Sequence, residues 1–233
     1  MKVAIIYTGG MRSFDKCLAN HHWMIHRHFP DAKFYVCTEL DGDAGKADLL
    51  SAATIKRVKQ PEMEIPAGCP NTWTPGQSYM HEPYHISVDP RAVLGQLWML
   101  REGWRLYEDA DESADLVIRI RPDLWFHSFN NHWLPEPATA QTPWWGRFGG
   151  INDRFAMLGS HAAKHYFTAY DKIPRLIAGG APLHPESLVA ASLCDGDCII
   201  SDDLKAEYST LRTSGEMRPP EITTIDLAHA AMR

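Results

Sequence analysis

Charged side chains end an otherwise apolar segment at residues 116–123, which read Leu-Val-Ile-Arg-Ile-Arg-Pro-Asp. Side chains of a strand alternate between its two faces, so Arg119, Arg121 and Asp123 are predicted to share one face. Burying each of these charges unpaired would cost several kcal/mol, so they must meet water, each other or an anionic ligand. Ligands of open α/β sheets bind outside the carboxyl ends of the strands. We therefore predict a ligand cleft here, with an internal Arg–Asp network or an exposed edge strand as the alternative.

Pro122 indicates where this strand should end. Proline has no amide proton to donate to a strand ladder, so the chain is expected to leave the sheet there. That places Asp123 at the mouth of the cleft, where it is predicted to lie nearest the phosphates of a ligand or a bridging metal. Arg121 is then predicted to contact the ligand directly, and Arg119, two residues deeper, to orient a carboxylate from behind.

A second candidate site is the loop Thr8-Gly9-Gly10-Met11-Arg12, which follows a short apolar run and precedes a helix. Amides at a helix N-terminus suit an anion, and glycines let the backbone approach a ligand closely. The loop matches neither G-x-G-x-x-G nor a Walker loop, because no Gly-Lys-Ser/Thr follows. We predict that Thr8, Gly9, Gly10 and Arg12 bind phosphate; a plain strand-to-helix turn is the alternative.

The elements that must position these residues alternate along the chain. Near the N-terminus we predict strands at residues 2–7, 33–38 and 54–58, with helices at about 14–28 and 44–53 between them. Asp89 and Pro90 open a further helix that should end near residue 107. The later elements are predicted as a central strand at 114–126, strands at 144–148, 154–158 and 198–201, and helices at 160–173, with Ser160 as cap, and 185–193. Residues 60–88 are interpreted either as a loop that covers the substrate or as a packed irregular excursion.

This order predicts an α/β fold in one domain, residues 1–233. The expected architecture is a three-layer αβα sandwich around a mixed, mostly parallel sheet, with the first strand central. Hydrophobic residues make up 45% of the chain and charged residues 22%, which is typical of globular proteins. The net charge of −6 argues against a general nucleic-acid binder. No apolar stretch is long enough for a membrane span or a signal peptide, so we expect a cytoplasmic protein.

Four segments together resemble small glycosyltransferases of the GT-A type. They are Gly-Gly-Met-Arg-Ser-Phe at 9–14, Arg-Ile-Arg-Pro-Asp-Leu at 119–124, Asn-Asp-Arg-Phe-Ala at 152–156 and His-Pro-Glu-Ser-Leu at 184–188. The similarity spans about residues 2–195. It implies a GT-A-like fold, a nucleotide-sugar donor lying across the first strands, and hexosyl transfer to a glycan, lipid or protein hydroxyl, as in polysaccharide biosynthesis.

The resemblance also implies a metal-binding Asp-x-Asp at the position of the Arg-Pro-Asp segment. Position 121 is Arg, so Asp123 remains as the candidate ligand for Mn²⁺ or Mg²⁺, ions that prefer several oxygen ligands. Arginines can instead neutralise a leaving diphosphate, because a guanidinium binds phosphate bidentately. Literal Asp-x-Asp matches occur at residues 41–43, 109–111 and 195–197. The last two are predicted to be surface turns.

Glycosyl transfer requires stabilisation of the leaving nucleotide and removal of a proton from the acceptor hydroxyl. Arg12, Arg119 and Arg121 are the candidates for the first task. Asp153 and Glu186 are the catalytic candidates for the second, or for holding sugar hydroxyls, and both are expected to face the cleft of Asp123. The alternatives are that Asp153 pairs with its own turn and that Glu186 complements a helix dipole.

Two other function classes stay open. One is a different phosphate-handling transferase, such as a nucleotidyltransferase or a sulfotransferase, which would share the arginines but differ in donor. The other is a non-catalytic nucleotide- or sugar-binding protein on the same fold.

Overall fold

A seven-stranded sheet forms the centre of the protein, whose structure, a computed structural model, describes residues 1–67, 89–130 and 134–219. The strand order is β3-β2-β1-β4-β7-β6-β8. Its strands are β1 (Val3–Thr8), β2 (Lys33–Glu39), β3 (Thr54–Val58), β4 (Leu116–Ile120), β6 (Thr139–Gln141), β7 (Phe155–Gly159) and β8 (Ile199–Ser201). Strands β1 to β4 pair in parallel, and β7 runs antiparallel to both β4 and β6. The α/β class and the mixed, mostly parallel sheet are therefore confirmed, with β1 in the sheet interior.

Four helices cover one face of this sheet: α2 (Pro90–Glu108), α3 (Ser160–Phe167), α4 (Ala169–Ala178) and α5 (Pro185–Asp195). On the other face lie α1 (Phe14–Met24), two 3₁₀ helices (His26–His28 and Ala44–Leu49), and a small antiparallel sheet. That sheet has the order β10-β9-β5, formed by β5 (Leu124–Asn130), β9 (Lys205–Leu211) and β10 (Met217–Arg218). The layers are compatible with a three-layer sandwich in which one outer layer is partly a sheet. Among the described residues, no helix has the length and apolar character needed to cross a membrane.

The helix starts predicted from Asp and Pro are confirmed. Asp89 caps α2 and accepts a hydrogen bond from the amide of Arg91 at 2.9 Å, with Pro90 as the first helical residue. Pro185 likewise begins α5. Ser13 makes no side-chain cap; its hydroxyl donates to the carbonyl of Leu211 at 2.6 Å and ties the start of α1 to the small sheet.

The single strand predicted at residues 114–126 is wrong, because the chain leaves the central sheet at Pro122, as the missing amide predicted. Residues up to Ile120 pair with β1 and β7, whereas Leu124 opens β5, which pairs with β9 in the small sheet. Between them the amide of Leu124 reaches back to the carbonyl of Arg121 at 3.3 Å and closes a turn. The site motif therefore lies where the chain passes from one sheet to the other.

Other corrections concern elements that depend on long-range packing. Residues 144–148 form no strand, because positive φ angles at Gly146 and Phe148 break the extended backbone. The apolar character of this segment reflects tertiary packing instead, since Trp145 packs on Tyr208. The predicted helix at 160–173 is two helices that meet at Thr168, and Ser160 is its first residue rather than its cap. Strands β6, β9 and β10 were not predicted. Most of the predicted covering loop, residues 68–88, lies outside the described residues.

Candidate functional site

A cavity of about 320 Å³ opens between the carboxyl ends of β1 and β4. Strand order reverses there: the chain adds β2 and β3 on one side of β1, then returns to place β4 on the other. Such a switch point is where open α/β sheets bind ligands. All of the predicted phosphate-binding residues line this β1–β4 cavity: Thr8, Gly9, Gly10, Arg12, Arg119, Arg121 and Asp123.

The loop after β1 approaches the β4–β5 turn closely. Gly9 has a φ of +126°, a conformation that side chains rarely adopt, and a methyl group at this position would lie 3.6 Å from Pro122 Cδ. Thr8, the last residue of β1, is buried, and its hydroxyl has no hydrogen-bond partner among the described residues. Burial without a partner costs about 1–3 kcal/mol. A ligand in the cavity would recover that cost.

Arg121 and Asp123 form a bidentate ion pair at the mouth. Arg121 donates from Nε to Oδ1 at 3.1 Å and from Nη2 to Oδ2 at 2.9 Å. The Asp123 side chain is only 7% exposed and that of Arg121 is 26% exposed. Burial raises the pKa of Asp123, but the guanidinium of Arg121 outweighs it and holds that pKa below its ordinary value. The internal Arg–Asp pair is thus present, and it lies inside the predicted cleft rather than replacing it.

Arg119 is the largest fully buried side chain of the described residues and also lines the cavity. Its Nη1 donates to the backbone carbonyl of Arg154 at 2.6 Å, whereas its Nε has no hydrogen-bond partner in the described ranges of the chain. Arg119 is predicted to orient a carboxylate, but this hydrogen bond instead fixes the start of β7 beside β4. Burial lowers the pKa of Arg119, and the charge of Asp153 acts against that shift. A guanidinium remains protonated even so.

The two predicted catalytic carboxylates lie behind the cavity and are not among its lining residues. Asp153 is 1% exposed. Gln96 of α2, which lines the cavity, donates from its amide to Asp153 Oδ2, and the Tyr166 hydroxyl donates to the Asp153 carbonyl at 2.7 Å. Asp153 is therefore buried by the loop 149–153 folding under α2, and it reaches the cavity only through Gln96.

Glu186 is buried beside Asp153. Burial, and then the charge of Asp153, raise its pKa well above the ordinary range. Its Oε2 lies 3.1 Å from His184 Nδ1 but makes no well-oriented hydrogen bond in the described residues. The raised pKa favours the protonated form of the Glu186 carboxyl. Gly150 packs on the backbone here: a methyl group on it would lie 2.2 Å from the Glu186 carbonyl.

A buried hydrogen-bond chain holds the turn that carries Asp123. Tyr7 contacts His21 Nδ1 at 3.1 Å and His26 Nε2 at 2.7 Å, and His21 Nε2 lies 2.6 Å from the Leu124 carbonyl. A carbonyl only accepts, so His21 donates from Nε2; Tyr7 then donates to His21 and accepts from His26. Burial lowers the pKa of His21 to about 4 and that of His26 to about 3, so both rings are neutral at pH 7.

Sequence reasoning missed three polar residues of the described lining that other parts of the chain bring to the cavity: Glu39, Gln60 and Gln96. Glu39 is exposed at the end of β2, next to β1 in the sheet. Gln60 lies against α2, where a methyl group at Gly95 would fall 2.4 Å from its amide. Gln96 is polar within the apolar run at residues 93–100, which was an available signal.

A divalent cation does not fit this arrangement of side chains. Both oxygens of Asp123 are held by Arg121, and the other carboxylate of the described lining, Glu39, is on another strand. Across residues 1–67, 89–130 and 134–219, no three His, Cys, Asp or Glu side chains cluster in a way that could hold a metal ion. The Asp-x-Asp match at 41–43 is engaged locally: Asp41 accepts from the Asp43 amide at 2.9 Å, and Asp43 pairs with Lys46 at 3.0 Å.

Comparison with known proteins finds no family model that matches this chain and no curated protein that is significantly similar to it.

Proposed function

We propose that this protein is a GT-A-like glycosyltransferase that moves a sugar from a nucleotide-sugar donor to a hydroxyl acceptor. The observation that carries the proposal is the β1–β4 cavity, where a Gly-Gly loop and three arginines meet at a switch point of the sheet. Ligand sites of α/β sheets occur at such points. A volume of about 320 Å³ is at the lower end of the range for small-molecule sites.

The departing nucleoside diphosphate needs positive charge at the cavity. Arg12 is exposed on its rim, and Arg121 keeps donor groups beyond the two that Asp123 accepts. These charges would stabilise the leaving group more in the transition state than in the donor, which is the requirement for catalysis. The local excess of arginine is notable in a chain of net charge −6.

Glu39 is suited to the ribose of the donor. In dinucleotide-binding sheets, the carboxylate after the second strand accepts hydrogen bonds from ribose hydroxyls, while the loop after the first strand binds phosphate. Glu39 ends β2, whose neighbour β1 carries the Gly-Gly loop. The nucleotide would then lie across the ends of β2, β1 and β4, with the sugar toward α2.

Removal of the acceptor proton is assigned to Asp153 as a prediction, and Glu186, whose raised pKa favours the protonated carboxyl, is assigned to holding a sugar hydroxyl. Both are buried one layer behind the cavity, so each would contact an acceptor only after a rearrangement that exposes it to the cavity. Asp153 also adds negative charge near Arg119 and Arg121, which supports the charge of both guanidiniums. A positioning role for Asp153 is therefore compatible with the proposal.

The test is a donor panel with two readouts. Nucleotide sugars, plain nucleotides and adenosine phosphosulfate are screened by thermal shift, and each stabilising donor is assayed for release of its nucleotide with and without sugar acceptors. The proposal predicts stabilisation and cleavage with a nucleotide sugar. Stabilisation by adenosine phosphosulfate alone would indicate a sulfotransferase, and stabilisation without any cleavage would indicate a binding protein; either result contradicts glycosyl transfer.

A further inference from the structure

We propose that the β1–β4 cavity binds the diphosphate of its donor through guanidinium groups and the Thr8 hydroxyl, with no divalent cation between protein and phosphate. This inference rests on the proposed function for the identity of the donor, but the anion site itself follows from the side chains that line the cavity.

The carboxylate best placed for a metal is already paired with a cationic side chain. Each oxygen of Asp123 accepts a hydrogen bond from Arg121, at 3.1 and 2.9 Å, and the Asp123 side chain is 7% exposed. A cation at Asp123 would lie against the guanidinium of Arg121 in a buried place and would be repelled by it. It would also sit beside the charges of Arg119 and Arg154, which act on the same carboxylate.

Among the described lining residues, no second carboxylate lies beside Asp123. Mg²⁺ and Ca²⁺ take six or more oxygen ligands, usually with carboxylates among them. In the described lining of the cavity, the other carboxylate is Glu39, which is exposed at the end of β2, two strands away from β4 in the sheet. Arg121 occupies the position at which an Asp-x-Asp pair would carry its first carboxylate.

Positive charge and unsatisfied polar atoms replace the metal. In the described part of the lining there are three arginines and two carboxylates, and one of those carboxylates is neutralised by Arg121. The Thr8 hydroxyl and the Nε of Arg119 are buried without hydrogen-bond partners in the described part of the chain, although both residues line the cavity. A phosphate oxygen accepts from both a hydroxyl and a guanidinium. The cavity is thus built to receive an anion directly.

The experiment is calorimetric titration with inorganic pyrophosphate, then with a nucleoside diphosphate, each in EDTA and in Mn²⁺ or Mg²⁺. Pyrophosphate is expected to bind in EDTA, with a Kd that changes less than about three-fold on adding the metal, a difference below 1 kcal/mol. The double variant R121Q/D123N, which removes the pair without leaving a buried charge, should weaken binding at least about ten-fold, as expected for a lost hydrogen bond to a charged group. The control R175Q/D195N removes an ion pair between α4 and α5, leaves the net charge unchanged as the test variant does, and should change nothing.

Pyrophosphate binding that appears only with the metal, or binding in neither buffer, would overturn the inference. The single variant T8V gives a second test. It keeps all the charges and should still weaken the binding of pyrophosphate in EDTA, so an unchanged Kd would contradict the role of the hydroxyl. The proposed function fails separately, if pyrophosphate binds in EDTA but no nucleotide sugar binds or is cleaved. Conversely, sugar transfer that requires Mn²⁺ would leave the function intact and overturn this inference.

Discussion

Acidification should destabilise the fold through the buried chain of His26, Tyr7 and His21. Burial lowers the pKa of His21 to about 4 and that of His26 to about 3, whereas histidine in an unfolded chain titrates near 6.5. The folded state therefore holds these rings neutral while the unfolded state takes up protons. Their contribution to stability is complete above pH 6.5 and is lost as pH falls through 6.5 toward 4.

The size of the effect follows from those pKa values. Between pH 7.5 and pH 5, each histidine should reduce the free energy of unfolding by about 2 kcal/mol, since one pKa unit corresponds to 1.36 kcal/mol and about 1.5 units lie in this interval below the unfolded value. Together the loss is about 4 kcal/mol, a large share of the 5–15 kcal/mol typical of a domain. The turn that carries Asp123 should loosen first, because His21 holds the Leu124 carbonyl.

Urea unfolding followed by tryptophan fluorescence at pH 7.5 and pH 5 measures the effect. Glu186 opposes it, because its raised pKa makes folding less favourable as pH rises, so the comparison must be between variants. H21Q should be less stable at pH 7.5, yet lose about 2 kcal/mol less than the wild type on acidification. H161Q, at an exposed position of α3, should keep the wild-type dependence. Equal pH dependence in the wild type and H21Q would refute the neutral buried imidazole.

Three further predictions concern residues around the site. Glu186→Gln should be more stable than the wild type at pH 7.5 and not at pH 4. The reason is that a carboxyl whose pKa is raised in the folded state makes the folded protein less stable as pH rises above the pKa of that carboxyl in the unfolded chain. Equal differences in the free energy of unfolding at both pH values, measured with urea, would show an ionised Glu186. Gly150→Ala should destabilise by about 1–3 kcal/mol, the range for overpacking, because the new methyl would lie 2.2 Å from the Glu186 backbone; a melting temperature within error of the wild type would contradict that packing. Glu39→Gln should weaken the binding of a nucleoside diphosphate at least about ten-fold and leave pyrophosphate binding unchanged, because the ribose hydroxyls would lose a charged acceptor. Calorimetry that shows equal losses of affinity for both ligands would place Glu39 at the phosphate instead.

The parts of the fold and site that sequence could predict are those set by local rules. The two-residue period of a strand predicted that Arg119 lies on the face of β4 opposite Ile118 and Ile120. These two isoleucines do pack in the core between the central sheet and the layer of α1 and the small sheet. Pro122 predicted where the strand ends. The order of a strand followed by a helix was enough to predict that the Thr8–Arg12 loop lies at the carboxyl end of β1.

The rest depends on contacts between residues far apart in sequence. Strand β9 is recognisable only through its pairing with β5, and without it residues 114–126 resemble one long strand. The depth of Asp153 arises because Gly150 lets its loop pack on the start of α5, which no local pattern encodes. Gln96 reaches Asp153 from α2, so its role depends on how that helix crosses the sheet.

A crystal structure with a bound nucleoside diphosphate, grown in EDTA, tests the central claim most directly. The account predicts the diphosphate between the Gly9–Gly10 loop and Arg121, hydrogen-bonded to the Thr8 hydroxyl, with the ribose at Glu39 and no metal ion at Asp123. A nucleotide bound elsewhere, with the Arg121–Asp123 pair unchanged and the β1–β4 cavity holding only water, would contradict it.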